Sequence, residues 1–206
     1  MKISFCGGTG EFGVSCLLLR VNGKNLVIDP GIGIRSGKDY FPDFQMIQEK
    51  GGVDAILISH AQINHCGSLP ILSREYPHAG IFMTYATKDL IHVLLYDWLK
   101  TIENSKQKNP VFNKTHLYNA LSRIVCYSPQ YTFYPFRDDL SVTFYKSGHV
   151  PGDIFLYLSS ARGSILYSGD FSFFPQENKR RNSREMVGKK LRRYSRRRSS
   201  GIRAGF

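Results

Sequence analysis

The sequence predicts an α+β fold of layered sheets and helices, and three observations carry that expectation. Cys16-Leu-Leu-Leu-Arg-Val21, the turn Asn22-Gly23 and Asn25-Leu-Val-Ile28 form a hairpin signal, because Asn-Gly supplies the positive φ angles of a two-residue turn. Ala55-Ile-Leu-Ile58 is apolar throughout, as a strand is when both faces are covered. Beyond Leu69, helical patterns alternate with short apolar or aromatic runs, so helices interleave with strands.

Taken in order, Lys2-Ile-Ser-Phe5 reads as a strand ending at Gly7-Gly8, followed by the hairpin, which Asp29-Pro-Gly31 closes. Residues 32–44 are Gly-rich and read as loop, and Phe44 to Lys50 as a short helix. The strand at 55–58 is followed by a helix over Leu69 to Tyr76 and a strand over Gly80 to Thr84. Thr87 opens a helix to Leu99 with apolar residues at helical spacing. Residues 104–112 form a polar connector and 113–123 a further helix. Strands follow at Tyr131–Phe136, Ser141–Tyr145, Ile154–Leu158 and Ser164–Tyr167. No internal repeat is present.

At 206 residues the chain makes one domain, or one domain with an appendage. Hydrophobic residues make up 42% of it, enough for residues 1–176 to bury a core. No run approaches the ~20 apolar residues that span a bilayer. The N-terminus lacks the apolar segment of a signal peptide, so a cytoplasmic protein without a membrane role is expected. The four cysteines (Cys6, Cys16, Cys66, Cys126) are scattered, which suits reduced, buried thiols. The net charge of +12 is unevenly placed. Residues 1–176 hold 16 basic and 14 acidic residues, whereas residues 177–206 hold 12 and 2. A nearly neutral body, 1–176, therefore carries a basic tail, 177–206, too poor in apolar residues to pack.

Gly8-x-Gly10-x-x-Gly13 matches a dinucleotide-binding fingerprint, but a strand-like run follows where a helix should begin. Val14 occupies the lysine position of a phosphate-binding loop. A tight turn needing positive φ is the better reading. The segment Ile58-Ser-His-Ala-Gln-Ile-Asn-His-Cys-Gly67 is different. His60 and His65 stand at the mouth of a strand with polar residues alternating between them, which is metal-ligand spacing. Ser147-Gly-His149-Val-Pro-Gly152 and Tyr167-Ser-Gly-Asp170 add a third imidazole and a carboxylate from distant parts of the chain.

In that order these pieces resemble the metallo-β-lactamase superfamily, whose motif is His-x-His-x-Asp-His, then a distant His and a distant Asp. Gly7-Gly-Thr-Gly-Glu-Phe-Gly-Val-Ser-Cys16, Asn25-Leu-Val-Ile-Asp-Pro-Gly31, Ser68-Leu-Pro70, Thr84-Tyr-Ala-Thr-Lys-Asp-Leu90 and Phe171-Ser-Phe-Phe-Pro-Gln176 look like its β-CASP branch. That branch contains RNA- and DNA-cleaving enzymes. The resemblance covers residues 1–176 and implies the N-terminal portion of an αββα sandwich. It also implies roles. Asp29 would brace the metal loop, and it equally suits a strand-end turn. His60, position 62 and His149 would bind a first ion. His65 and position 64 would bind a second, with Asp170 bridging. In active members position 64 is an Asp that also orients the attacking water.

This sequence reads His60-x-Gln62-x-Asn64-His65. Two strong ligands are replaced by neutral amides, which are poor ligands for Zn²⁺. The expectation is therefore at most one weak zinc site, on His60, His149 and Asp170, and a degenerate catalytic position at Asn64. Asp153 would be either a compensating carboxylate or an exposed turn residue, the latter being ordinary Gly-Asp turn chemistry. Cys66 would pack beneath the loop rather than bind metal. His78, His92 and His116 read as surface or packing residues. The resemblance stops at Gln176, short of a β-CASP enzyme's second half and its last ligand. Three readings remain: a weakly active or inactive hydrolase of the RNA-nuclease type, a non-catalytic RNA- or partner-binding module, and a frameshifted fragment. The basic tail would attract RNA in any of them.

Overall fold

The computed structural model describes residues 1–10, 13–35, 38–104, 111–138 and 140–172. The basic tail lies outside the described residues. Along the chain run β1 (Lys2–Gly7), β2 (Cys16–Val21), β3 (Lys24–Ile28), β4 (Gly33–Arg35), β5 (Lys38–Tyr40), α1 (Phe44–Glu49), β6 (Ala55–Leu57), α2 (Ile63–Cys66) and α3 (Leu69–Glu75). Then come β7 (Gly80–Met83), α4 (Tyr85–Asn104), α5 (Lys114–Ser122), β8 (Ile124–Cys126), β9 (Thr132–Phe133), β10 (Pro135–Asp138), β11 (Ser141–Lys146), β12 (Ile154–Ser160) and β13 (Gly163–Tyr167).

The larger sheet has the order β1-β2-β3-β6-β7-β8 and the smaller β13-β12-β11-β9. Pairing is antiparallel through β1, β2 and β3 and parallel from β3 to β8. Strand periodicity explains the layering. Cys16, Leu18, Val27 and Ile56 face the helices, whereas Leu19, Val21, Leu26, Ile28, Ala55 and Leu57 face the second sheet. Both faces of the larger sheet are thus covered, which is why Ala55–Ile58 shows no polar alternation. Each fully buried Leu or Ile in these strands contributes about 1.5–3 kcal/mol of transfer free energy. Against the other face lie Val142, Phe144, Leu156 and Leu158 of the smaller sheet. All five helices contribute to the first core; among the described residues none covers the outer face of the smaller sheet.

The parallel strands bring their C-terminal ends to one edge. Asp29 follows β3, Ser59 and His60 follow β6, and Thr84 follows β7. The β11–β12 loop is tied to the same edge by the Ile154 N–H, which donates to Ser59 O at 3.1 Å.

Several elements differ from the expectation. The Gly-rich stretch after Ile32 is not all loop, since β4 and β5 pair antiparallel there, with the Tyr40 ring lying over Gly33. The expected strand at 131–136 is split into β9 and β10, because Pro135 has no N–H to donate to a ladder. The long helix starts at Tyr85, where Thr84 Oγ1 accepts from the Thr87 N–H at 3.2 Å. β8 and the single-turn α2 carry too few residues to show a period. The Gly8, Gly10 and Gly13 turn does have positive φ angles of 77°, 74° and 130°.

Candidate metal centre

Asp29 is the anchor of the site. It is fully buried and adopts a left-handed φ of 52° immediately after β3, a conformation costing about 1–3 kcal/mol outside glycine. Its carboxylate accepts four hydrogen bonds: from Ser59 N–H (2.6 Å), Ser59 Oγ (2.5 Å), His65 Nδ1 (3.0 Å) and Tyr167 Oη (2.8 Å). Burial alone would raise its pKa, but the bonds from His65 and Ser59 hold it below the ordinary carboxylate value. Asp29 thus ties Ser59, His65 and Tyr167 together, and it also lies with His60 and His65 in a group whose ligand atoms fall within 4.8 Å of one another.

The same network fixes the tautomers of two imidazoles. Ser59 Oγ has one proton and gives it to Asp29, so His60 Nδ1, 2.8 Å from that hydroxyl, is the donor of its pair. His65 Nδ1 likewise donates to Asp29. Both rings thereby present the Nε2 lone pair, the ligand form, toward Asp170. Asp170 Oδ2 lies 3.9 Å from His60 Nε2 and 3.6 Å from His65 Nε2. The rings are tilted against each other with centroids 4.2 Å apart. Their pKa values shift in opposite directions: burial and the neighbouring His65 lower the pKa of His60. Burial also opposes charge on His65, but its hydrogen bond to Asp29 overcomes this and raises the pKa.

His149 enters from the β11–β12 loop, its ring 5.7 Å from that of His60 and edge-on to it. The donor atoms of His60, His149 and Asp170 all lie within 4.8 Å of one another. Gln62 stands where the resemblance places another imidazole, and its Nε2 lies 3.2 Å from His149 Nε2. Asn64 is half-buried and its backbone carbonyl accepts from Ser15 N–H at 2.9 Å. The loop is held close to the strand ends because Gly31 has no side chain: a Cβ there would sit 1.7 Å from Asn64 O.

Asp153 is not an exposed turn residue. It is 6% exposed, and its Oδ2 accepts from Ser147 Oγ at 2.6 Å, from Val150 N–H at 2.9 Å and from His149 N–H. The carboxylate closes the His149 loop on itself. The turn chemistry was visible in Gly-Asp; the burial was not, since it accompanies hydrogen bonds to residues three to six positions earlier.

Cys66 is buried and donates to Gln62 O at 3.1 Å, and burial pushes its thiol up, so it is no thiolate ligand. The remaining histidines are peripheral. His116 completes the α5 capping box with Asn113, His92 is exposed with its ring 6.4 Å from that of Tyr118, and His78 is exposed. Sequence reasoning missed Ser59 and Tyr167 as parts of the site. Their signal was weak: a hydroxyl beside His60, and a Tyr in an otherwise ordinary strand, 138 residues from the carboxylate it binds.

A family model described as a metallo-beta-lactamase superfamily domain matches residues 18–180. Among curated proteins, the chain is 29% identical over 184 residues to Integrator complex subunit 11 of Danio rerio, covering 86% of this chain and 31% of that protein. It is 34% identical over 177 residues to Cleavage and polyadenylation specificity factor 73 of Drosophila melanogaster, covering 84% and 25%. A 27% identity over 176 residues links it to Transcription termination factor FttA of Lokiarchaeum, covering 84% and 27%. The chain thus spans about a quarter to a third of the length of these relatives. Among solved structures, a motif mutant of a metallo-beta-lactamase from Cronobacter sakazakii superposes with a TM-score of 0.52 at 14% identity, covering 93% of this chain and 68% of that one. The metallo-beta-lactamase fold protein YhfI of Bacillus subtilis gives 0.51 at 14% identity, covering 84% and 63%. These bear out the fold and the resemblance read from the sequence. No helix among the described residues is long and apolar enough to cross a membrane.

Proposed function

This chain belongs to the metallo-β-lactamase superfamily, and on that premise we propose that it retains one metal position of a β-CASP-type RNA-cleaving site and has lost the other, leaving weak or no phosphodiester cleavage. The observation that carries the reading is His60 Nε2. It is buried and has no hydrogen-bond partner. Such an orphaned atom costs about 1–3 kcal/mol, and the His60 tautomer makes it an acceptor in a group that it forms with Asp170 and His149. Two imidazole nitrogens and a carboxylate oxygen suit Zn²⁺. His60, His149 and Asp170 would hold it. When bound, such an ion acidifies a coordinated water and offsets charge on a phosphoryl oxygen.

The residues on either side set the limits. Gln62 engages His149 Nε2 with an amide, so the ring nitrogen that would face an ion is already hydrogen-bonded. Position 64 offers no carboxylate, which leaves His65 and a shared Asp170 for a second ion. Two ligands are fewer than the three or four that zinc sites use. His65, charged more readily than a free imidazole, would itself compete with a second cation. Asn64 cannot accept the proton that the corresponding Asp would take from water.

The partner we propose is RNA. The support is the kinship to proteins named for cleavage, polyadenylation and Integrator subunits, and the 12 basic side chains of residues 177–206, which would attract phosphates regardless of the state of the metal site.

The test is elemental analysis of the purified chain after dialysis, with a cleavage assay on single-stranded RNA. At most one equivalent of zinc and no cleavage above a metal-stripped control are expected. Two tightly held equivalents, or efficient multiple-turnover cleavage abolished by Asp170→Asn, would overturn the reading.

A further inference from the structure

We propose that a basic groove at the end of the larger sheet farthest from His60 is a second binding site, one that takes the phosphates of single-stranded RNA. The groove encloses about 1230 Å³, and Lys2, Arg20, Lys50 and Arg162 stand around it together with Ser4 and Asn22. No acidic residue lines it. Residues 1–176 hold 16 basic and 14 acidic residues, so their overall charge does not produce such a grouping by itself. None of the four cations forms an ion pair among the described residues. The acids close in sequence to the groove residues are engaged elsewhere: Asp54 pairs with Lys24 at 3.0 Å and accepts from Asn25 N–H at 2.8 Å, and Glu49 accepts from Gln45 Nε2 at 2.9 Å.

Three separate parts of the chain build this grouping. Lys2 and Arg20 are cross-strand partners on β1 and β2, Lys50 caps α1, and Arg162 lies in the β12–β13 turn. Arg20 is fixed in place, because its Nη1 donates to Lys50 O at 3.0 Å. The groove is distinct from the metal centre. It surrounds the Asn22-Gly23 turn, and β3 runs from there to Asp29, about 17 Å at 3.3 Å per residue.

An extended polymer fits better than a compact phosphate compound. The cations are exposed and spread along an open groove instead of converging in a closed pocket. Ile3 also lines the groove, on the opposite face of edge strand β1 from Lys2. The inference uses the proposed function only in choosing RNA as the polymer. Metal content reads the His60 cluster alone, so the two can fail separately.

The experiment measures binding of fluorescently labelled oligouridine to the full chain across a salt series. Lys2→Glu with Arg162→Glu is compared against Lys100→Glu with Lys114→Glu, which changes the charge equally on α4 and α5, and circular dichroism confirms that both fold. The groove pair should weaken binding about tenfold or more at low salt and flatten the salt dependence, and the control pair should change it by less than about twofold. Equal losses from both pairs would reduce the effect to overall charge and overturn the proposal. So would displacement of the RNA by equimolar pyrophosphate, which would mark a compact phosphate site, or equally tight groove-dependent binding of polyglutamate, which would mark a protein-docking face.

Discussion

Asp29 Oδ2 accepts a hydrogen bond from His65 Nδ1 at 3.0 Å, and that contact determines which nitrogen of His65 faces Asp170. Because Ser59 and Tyr167 donate to the same carboxylate, one buried charge orients both rings of the His60–His65 pair. Asp29→Asn keeps the shape and tolerates the left-handed backbone, so it isolates the charge. It should cost about 3 kcal/mol in urea unfolding, the order of magnitude for breaking a buried pair. Zinc affinity should fall about 10–100-fold through loss of ring orientation. An unchanged metal affinity would show that the His60 tautomer does not depend on Asp29.

The two neighbouring rings should titrate apart in the metal-free protein. His65 has its pKa raised, so its protonated form contributes stability below the unfolded value of 6.5, and this is lost as pH rises through the folded pKa. His60 has its pKa lowered, so it stays neutral in the fold while the unfolded chain takes up a proton; it costs stability as pH falls below 6.5. Asp29, lowered, adds stability above its unfolded value of 3.8 and loses it as pH falls through the folded pKa. Imidazole NMR shifts followed between pH 4 and 8 should show His65 protonated above 6.5 and His60 neutral below it. A common midpoint for both rings would contradict the asymmetry.

Gln62→His should raise zinc affinity by about an order of magnitude or more, since it restores an imidazole beside His149 and removes the amide contact with His149 Nε2. Adding Asn64→Asp should allow a second, weaker equivalent. Competition with a chromophoric chelator measures both. If Gln62→His leaves the affinity unchanged, position 62 does not face the ion.

Part of this site was legible in the sequence because His60 and His65 stand at the mouth of an apolar strand with metal-ligand spacing, and the resemblance to the family motif added His149 and Asp170. These four candidates converge although 110 residues separate the first from the last. What escaped was what depends on packing between distant segments. Tyr167 reaches Asp29 only because β13 and β3 belong to facing sheets. Asp153 is buried while holding Ser147, His149 and Val150, contacts that a local Gly-Asp pair does not announce. The β4–β5 pair and β8 were too short for any period to register against their glycines and neighbours.

Asp153→Ala should loosen the His149 loop without touching any candidate ligand. It removes the acceptor for Ser147 Oγ and for the His149 and Val150 N–H groups, a loss of about 1–3 kcal/mol for donors left buried and unsatisfied. Asp153→Asn keeps one acceptor oxygen and should recover part of it. Because the carboxylate acts on the loop backbone, zinc affinity should fall in the Ala variant and return partly in the Asn variant. If Asp153 were itself a ligand, Asn would be as damaging to metal binding as Ala.

Gly31→Ala tests how closely the His65 loop must approach the strand ends. A Cβ at Gly31 would sit 1.7 Å from Asn64 O and 2.9 Å from His65 N, both backbone atoms that no rotamer change can move. Three contacts oppose any shift of that loop: Ile32 N–H donates to Ile63 O at 3.0 Å, Ser68 N–H to Pro30 O at 2.9 Å, and Ser68 Oγ to Gly31 O at 2.7 Å. One methyl group therefore either displaces the segment carrying His65 or breaks these bonds. The expected outcome is destabilisation of about 2–4 kcal/mol, within the range of overpacking and lost hydrogen bonds combined. The separation of the His60 and His65 NMR titrations should collapse as well, since His65 leaves Asp29. A Gly31→Ala protein with normal stability and an unshifted His65 resonance would mean that the loop is far more compliant than its hydrogen bonds imply.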